Sequence, residues 1–172
     1  MPSRLNASAD TDPEAVDAMP DALLRHRALV GRSLRKSLPK GDDIAYRLLR
    51  YAMGWVDEHG TPGRAMEGKA LRPALCLLAC EANGKSAESS IPAAVALELV
   101  HNSSLVHDDI QDQDEMRHHR PTVWTVWGAP KALVAGNLMR VVADRALWGL
   151  IELGFDYNVT KIDLTKEEQF KP

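Results

Sequence analysis

Apolar residues recur every three to four positions through most of this chain, and no segment alternates convincingly with a period of two, so the expected fold class is all-α. Residues 1–20 are polar and read as a flexible N-terminal tail. Helical spacing begins with "DALLRHRALVGRSLRKSL" and resumes in "DDIAYRLLRYAMGWV" after a Pro-Lys-Gly break. A loop rich in glycine and proline, "EHGTPGRAMEGKALRP", precedes a buried helix expected from about Leu71. That helix should stop near Gly84, since glycine takes the left-handed conformation that ends helices. Ser90 as a cap and Pro92 in the first turn, where proline is tolerated, open a helix of more than twenty residues. After the loop "MRHHRPTVWTVWG", a last helix is expected from about Pro130 to Leu153.

Residues 21–154 therefore read as one helical unit, and residues 155–172 as a separate, atypical segment. Both phenylalanines, Phe155 and Phe170, fall in that segment, and neither alanine nor arginine occurs after Ala146. The segment fits either a solvated closing stretch or a junction with foreign sequence.

Composition narrows the class without identifying it. A chain of 172 residues suffices for one compact domain, and 45% hydrophobic with 26% charged residues is ordinary for a globular protein. A net charge of −3 gives no reason to expect nucleic acid or an anionic membrane as partner. No run approaches the ~18 apolar residues of a membrane span, and no signal peptide is visible. Cys76 and Cys80, four apart on one helix side, read as small buried hydrophobes in a reducing compartment. A soluble, cytoplasmic protein is expected.

The unusual chemistry lies in "ELVHNSSLVHDDIQDQDEMRHHRPT", where Asp108, Asp109, Asp112 and Asp114 fall within seven positions. On a helix Asp108 and Asp112 share a face, with Asp109 about 100° round from it. Their mutual repulsion suggests a cation that reverses it. Magnesium suits: it is a hard ion, commonly held by one or two carboxylates while phosphates and water complete its shell. The pattern alone also fits a solvated acidic helix end, although the helix dipole disfavours acids at a C-terminus. The neighbours strengthen the first reading. His101 lies on the stripe of Asp108, Lys69 and Arg72 stand in "GKALRP", and Arg117 and Arg120 follow the aspartates. A diphosphate needs cations that bind its oxygens directly and carboxylates that bind it through metal. Each basic residue alone would suit a solvated surface; together they make an anion site.

In order and spacing, "GKALRP", "LELVHNSSLVHDDIQDQDEMR", "RPT" and "GAPKALVAGNLM" resemble the trans-isoprenyl diphosphate synthases, or polyprenyl synthetases, over roughly residues 40 to 150. The resemblance implies an isoprenoid-synthase-type bundle of long antiparallel helices around an apolar pocket, here its N-terminal half. It implies Mg²⁺, isopentenyl diphosphate and an allylic prenyl diphosphate as cofactor and substrates, and assembly as a homodimer or with a longer homologue. By position, Lys69, Arg72 and His101 match the residues that hold isopentenyl diphosphate, and Arg117 an arginine on the allylic diphosphate. Asp108 and Asp112, with Asp109 beside them, match the first aspartate-rich motif, Asp108 and Asp112 being the metal ligands. Ser103 and Ser104 match positions where bulky side chains shorten the product; both are small, which implies a product beyond fifteen carbons. The implied chemistry is ionisation of the allylic diphosphate, then attack by the isopentenyl double bond.

Four departures stand out. His118 and His119 replace an Arg-Gly pair, Trp124 stands where histidine is common, Asn137 replaces an aspartate, and no second aspartate-rich motif is present. A synthase inactive as this chain alone is therefore expected. The alternatives are a class I terpene cyclase of the same fold, or a non-catalytic or degenerate subunit paired with a longer partner.

Overall fold

A computed structural model describes residues 20–38, 41, 43–63 and 70–152, with side chains as far as Trp148. The tail ahead of Pro20, the segment 155–172 and Lys69 lie outside the described residues. The helices are α1 (Asp21–Leu24), α2 (Arg27–Ser37), α3 (Ile44–Ala52), α4 (Leu71–Ala82), α5 (Ile91–Gln111), α6 (Val123–Trp127) and α7 (Ala129–Glu152). A 3₁₀ turn, Ala87–Ser90, leads into α5, and a hairpin of β1 (Met116–Arg117) and β2 (Arg120–Pro121) follows it.

Local chemistry sets several boundaries where the sequence indicates. The Asp43 carboxylate accepts the Ala45 N–H at 2.8 Å and caps α3, which ends before Gly54 at φ 73°. Helix α4 ends at Ala82, and Gly84 takes φ 72° as a helix terminator should. Ser90 occupies the position before α5 but does not cap it; its hydroxyl donates back to the Ala87 carbonyl, while Ser86 caps the 3₁₀ turn. The first expected helix is split at Arg25–His26, and the loop after the aspartates contains the short hairpin and α6. In the hairpin turn, His118 and His119 sit at φ 50° and 59°, the backbone of a type I′ turn.

Helix α5 is the axis of the fold. It makes its longest contact with α7, and α4 and α2 pack on its other sides, which is why its apolar residues are not confined to one stripe. Leu49, Leu77, Leu99 and Met139, from α3, α4, α5 and α7, are fully buried in one core. Each contributes about 1.5–3 kcal/mol by leaving water. Helix α4 is not buried all round, since Leu71 and Leu75 face solvent. Leu97 on α5 and Leu133, Val134, Val141 and Trp148 on α7 are also exposed. Among the described residues, no helix is long and apolar enough to cross a membrane.

Candidate diphosphate and metal site

The α5–α7 contact places the aspartates. Ser103 is buried in it, its hydroxyl donating to the Gly136 carbonyl at 2.8 Å. One turn on, the His107 ring lies so close to Gly136 that a Cβ there would come 2.2 Å from Nε2. Glycine is thus required for the ring to seat, and the ring seats the turn that carries Asp108. Ser104 is exposed and donates to the His101 carbonyl of its own helix.

The three aspartates then part company. Asp109 turns inward and is 4% exposed. Arg117 Nε donates to its Oδ1 at 2.7 Å, and Nη2 lies 2.7 Å from the same oxygen. Burial raises the Asp109 pKa; the hydrogen bond and charge of Arg117 pull it back. Asp108 and Asp112 point to solvent, Asp112 as the C-cap residue of α5, and neither carboxylate bonds to a described side chain. They form an exposed pair one helical turn apart.

The loop beyond them is tied down from the following helix. The Thr122 hydroxyl and the Trp124 indole N–H both donate to the Asp114 carbonyl, at 2.9 and 2.8 Å, and Thr125 donates to Glu115. Trp124, which departs from the motif, thus holds the aspartate loop. Arg120 is likewise structural: it donates to the carbonyls of Tyr51 and Val56 and lies over the Tyr51 ring at 4.3 Å. Tyr51 in turn donates to the Pro121 carbonyl at 2.6 Å.

Beside the aspartates, a cleft of about 230 Å³ opens between α2, the end of α3, the start of α4, α5 and the hairpin. Arg72, His101, Arg117 and His118 line it, with Arg27 from α2. It is smaller than the roughly 300–1,000 Å³ of typical ligand pockets, a size that suits a head group better than a long chain. Burial lowers the His101 pKa, and the positive fields of Arg72 and Arg117 lower it further, against a weaker opposing pull from Asp108. These effects push His101 toward its neutral form, in a cleft whose arginines invite an anion. Arg72 and His101 come together as the sequence suggests, and Arg117 joins them while holding Asp109.

Two features escaped sequence reasoning: the commitment of Arg117 to Asp109, eight positions back, and the presence of Glu98 in the cleft wall. Glu98 lies one turn before His101 on the same helix face, a spacing that could have revealed it.

The donor set also bears on the metal. Among the described residues no three His, Cys, Asp or Glu side chains converge on one metal site. Two free carboxylates one turn apart suit a hard cation that completes its shell with phosphate oxygens and water. The residues present fit Mg²⁺ in that role.

Comparison with known proteins bears on the family. The (2E,6E)-farnesyl diphosphate synthase of Mycobacterium tuberculosis is 45% identical over 138 residues, covering 80% of this chain and 38% of that protein. The geranylgeranyl diphosphate synthase of the same organism is 35% identical over 130 residues, covering 76% of this chain and 37% of that protein. The crystal structure of a polyprenyl synthetase from Streptomyces coelicolor superposes with a TM-score of 0.71 at 41% identity, covering 78% of this chain and 39% of that one. The chain thus spans less than two fifths of the length of these relatives. The sequence model described as polyprenyl synthetase matches residues 55–170, so it extends through the compositionally odd segment. With the helical bundle, the paired carboxylates and the cationic cleft in place, this match makes the chain a member of the polyprenyl synthetase family.

Proposed function

We propose that this chain carries the diphosphate-binding machinery of a prenyl diphosphate synthase, which joins isopentenyl diphosphate to an allylic prenyl diphosphate. The observation that carries the reading is the placing, on successive turns of α5, of a cationic cleft and of a free carboxylate pair. Cations bind diphosphate oxygens directly, and a carboxylate pair binds them through a metal ion, so the two kinds of site together suit a reaction between two diphosphates.

In this reading Arg72 and His101 hold the isopentenyl diphosphate in the cleft, with Lys69 as a further cation. Arg117 has five N–H donors; those on Nε and Nη2 face Asp109, and the others remain for the allylic diphosphate. Asp109 is the residue that aims Arg117, rather than a ligand. Asp108 and Asp112 would hold Mg²⁺, which when bound neutralises charge on the allylic diphosphate and makes it a better leaving group. The arginines stabilise the charge that grows on the departing diphosphate. A diphosphate beside His101 would oppose the shift toward the neutral imidazole. Ser103 is committed to α7, which leaves Ser104 as the product-length position open to a ligand. The relatives named above are synthases, which favours a chain that consumes isopentenyl diphosphate over a cyclase. Self-association, as a homodimer or with a longer homologue, would cover the exposed apolar face of α5 and α7, and light scattering on the purified chain tests it.

The test is titration calorimetry of geranyl diphosphate and isopentenyl diphosphate, with and without Mg²⁺, alongside mass spectrometry of any product. Geranyl diphosphate binding should depend on Mg²⁺ and lose that dependence in Asp108→Asn/Asp112→Asn, while isopentenyl diphosphate binding should depend on Arg72 instead. Equal Mg²⁺ dependence in the variant would refute the metal assignment.

A further inference from the structure

The turn that follows the carboxylate pair is strained. Helix α5 ends at Gln111, Asp112 follows as its C-cap, and Gln113 takes the left-handed conformation at φ 58°. The Asp114 N–H then reaches back to the Asp109 carbonyl at 2.9 Å, and the Asp112 N–H to the Asp108 carbonyl at 2.8 Å. The first of these is the six-to-one hydrogen bond of a Schellman helix end, whose left-handed position is ordinarily glycine. Glutamine is disfavoured there, because its Cβ crowds the backbone. A hold from outside the turn offsets that cost.

Helix α6 supplies it. The Trp124 indole N–H and the Thr122 hydroxyl both donate to the Asp114 carbonyl, at 2.8 and 2.9 Å. The Thr122 backbone N–H donates to the Glu115 carbonyl at 2.9 Å. Asp114 is thus gripped on both sides, its N–H by α5 and its carbonyl by α6, with Gln113 fixed beside it.

Where α5 ends matters for Asp108 and Asp112. Their carboxylates stand at the negative end of the helix dipole, which disfavours them and favours a cation beside them. If α5 ran on through Gln113, that end would move past the pair, and the dipole acts only over the last turn.

We propose that Trp124 is a positioning residue for the metal site: its indole N–H, through the Asp114 carbonyl, enforces the left-handed turn at Gln113 and keeps the end of α5 at the Asp108–Asp112 pair. The inference rests on the reading of that pair as a Mg²⁺ site for the allylic diphosphate.

The experiment uses wild type, Trp124→Phe, Gln113→Gly, Gln113→Val and Trp124→Phe/Gln113→Gly as full chains. Calorimetry with geranyl diphosphate and Mg²⁺ is paired with amide hydrogen exchange of Asp114 in chains free of ligand and metal. Trp124→Phe keeps an aromatic ring and removes the N–H. It should speed Asp114 exchange and weaken Mg²⁺-dependent geranyl diphosphate binding about fivefold, the worth of one neutral hydrogen bond. Isopentenyl diphosphate binding should not change, since Trp124 does not line the cleft. Adding Gln113→Gly should restore both readings, because glycine adopts the turn without help. Gln113→Val, at an exposed position, should reproduce the loss with Trp124 intact, and decides the matter if Trp124→Phe does not fold. Unchanged geranyl diphosphate binding in Trp124→Phe, an equal loss for isopentenyl diphosphate, or a loss that glycine does not repair overturns the proposal. If Asp114 exchange responds as stated but wild type shows no Mg²⁺-dependent binding, the metal reading falls and the hold of Trp124 on the turn stands.

Discussion

Replacing Gly136 by alanine tests how the aspartate-bearing helix is seated. The added methyl would meet Nε2, Cδ2 and Cε1 of His107 at 2.2, 2.6 and 2.9 Å, so the whole ring edge must move. The backbone carbonyl of the same residue accepts the Ser103 hydroxyl in the buried interface, which resists separation of α5 from α7. Overpacking of this kind costs about 1–3 kcal/mol. The His107 contact to the Leu133 carbonyl, at 3.3 Å and half wet, adds about 0.5 kcal/mol if lost. Against this, alanine is favoured over glycine in a helix interior by about 1 kcal/mol. The net expectation is a loss of about 1–2 kcal/mol. In a His107→Ala background the clash disappears and only the helix preference remains, so the same substitution should stabilise by up to about 1 kcal/mol. The coupling between the two sites is then about 2 kcal/mol, within the range for residues in contact. Urea unfolding followed by circular dichroism measures all four stabilities. An identical effect of Gly136→Ala in both backgrounds would refute the argument, because the glycine would then be serving something other than the ring. Since the ring adjoins Asp108, Mg²⁺-dependent diphosphate binding should fall together with stability.

Other expectations follow from single contacts. Arg117→Ala leaves the buried Asp109 carboxylate without its cation and should cost about 2–3 kcal/mol, less than the 3–5 of a fully buried pair because the arginine side chain is 33% exposed; urea unfolding measures it, and adding Asp109→Asn should recover part of the loss. His119→Gly relieves a left-handed backbone position in the type I′ turn and should raise stability by about 0.5–1 kcal/mol, read as a higher melting temperature. His101 has its folded pKa below the unfolded value of about 6.5, so the folded chain binds fewer protons there and stability should fall as pH drops through 6.5 toward the folded pKa. Diphosphate binding opposes that shift, so affinity should rise over the same descent, and an NMR titration of the His101 ring with and without isopentenyl diphosphate checks both signs.

Much of the backbone was legible from local pattern. Helix α5 starts at Ile91 beside the anticipated Ser90 and Pro92, α7 falls within a residue of its expected bounds, and α4 stops just before Gly84. These features depend on neighbours within a turn or two, where periodicity, proline and glycine act directly. The break at Arg25–His26 was not legible, because the helical spacing runs unbroken through it. Nor was the left-handed turn at His118–His119, which histidine tolerates but does not announce.

The candidate site divides along the same line. By itself, the sequence determined that three acids and several cations would gather around one long helix, with Asp109 about 100° away from Asp108 and Asp112. Only the tertiary structure decided which side of that helix is buried, and so made Asp109 the partner of Arg117 while leaving the other two exposed. It also gave two similar arginines different work, Arg117 on the Asp109 carboxylate and Arg120 on the carbonyls of Tyr51 and Val56, and placed Glu98 in the wall of the cleft. The physical reason is range. Helix formation is settled within a few residues, whereas the environment of a charged side chain is settled by whatever distant segments pack against it.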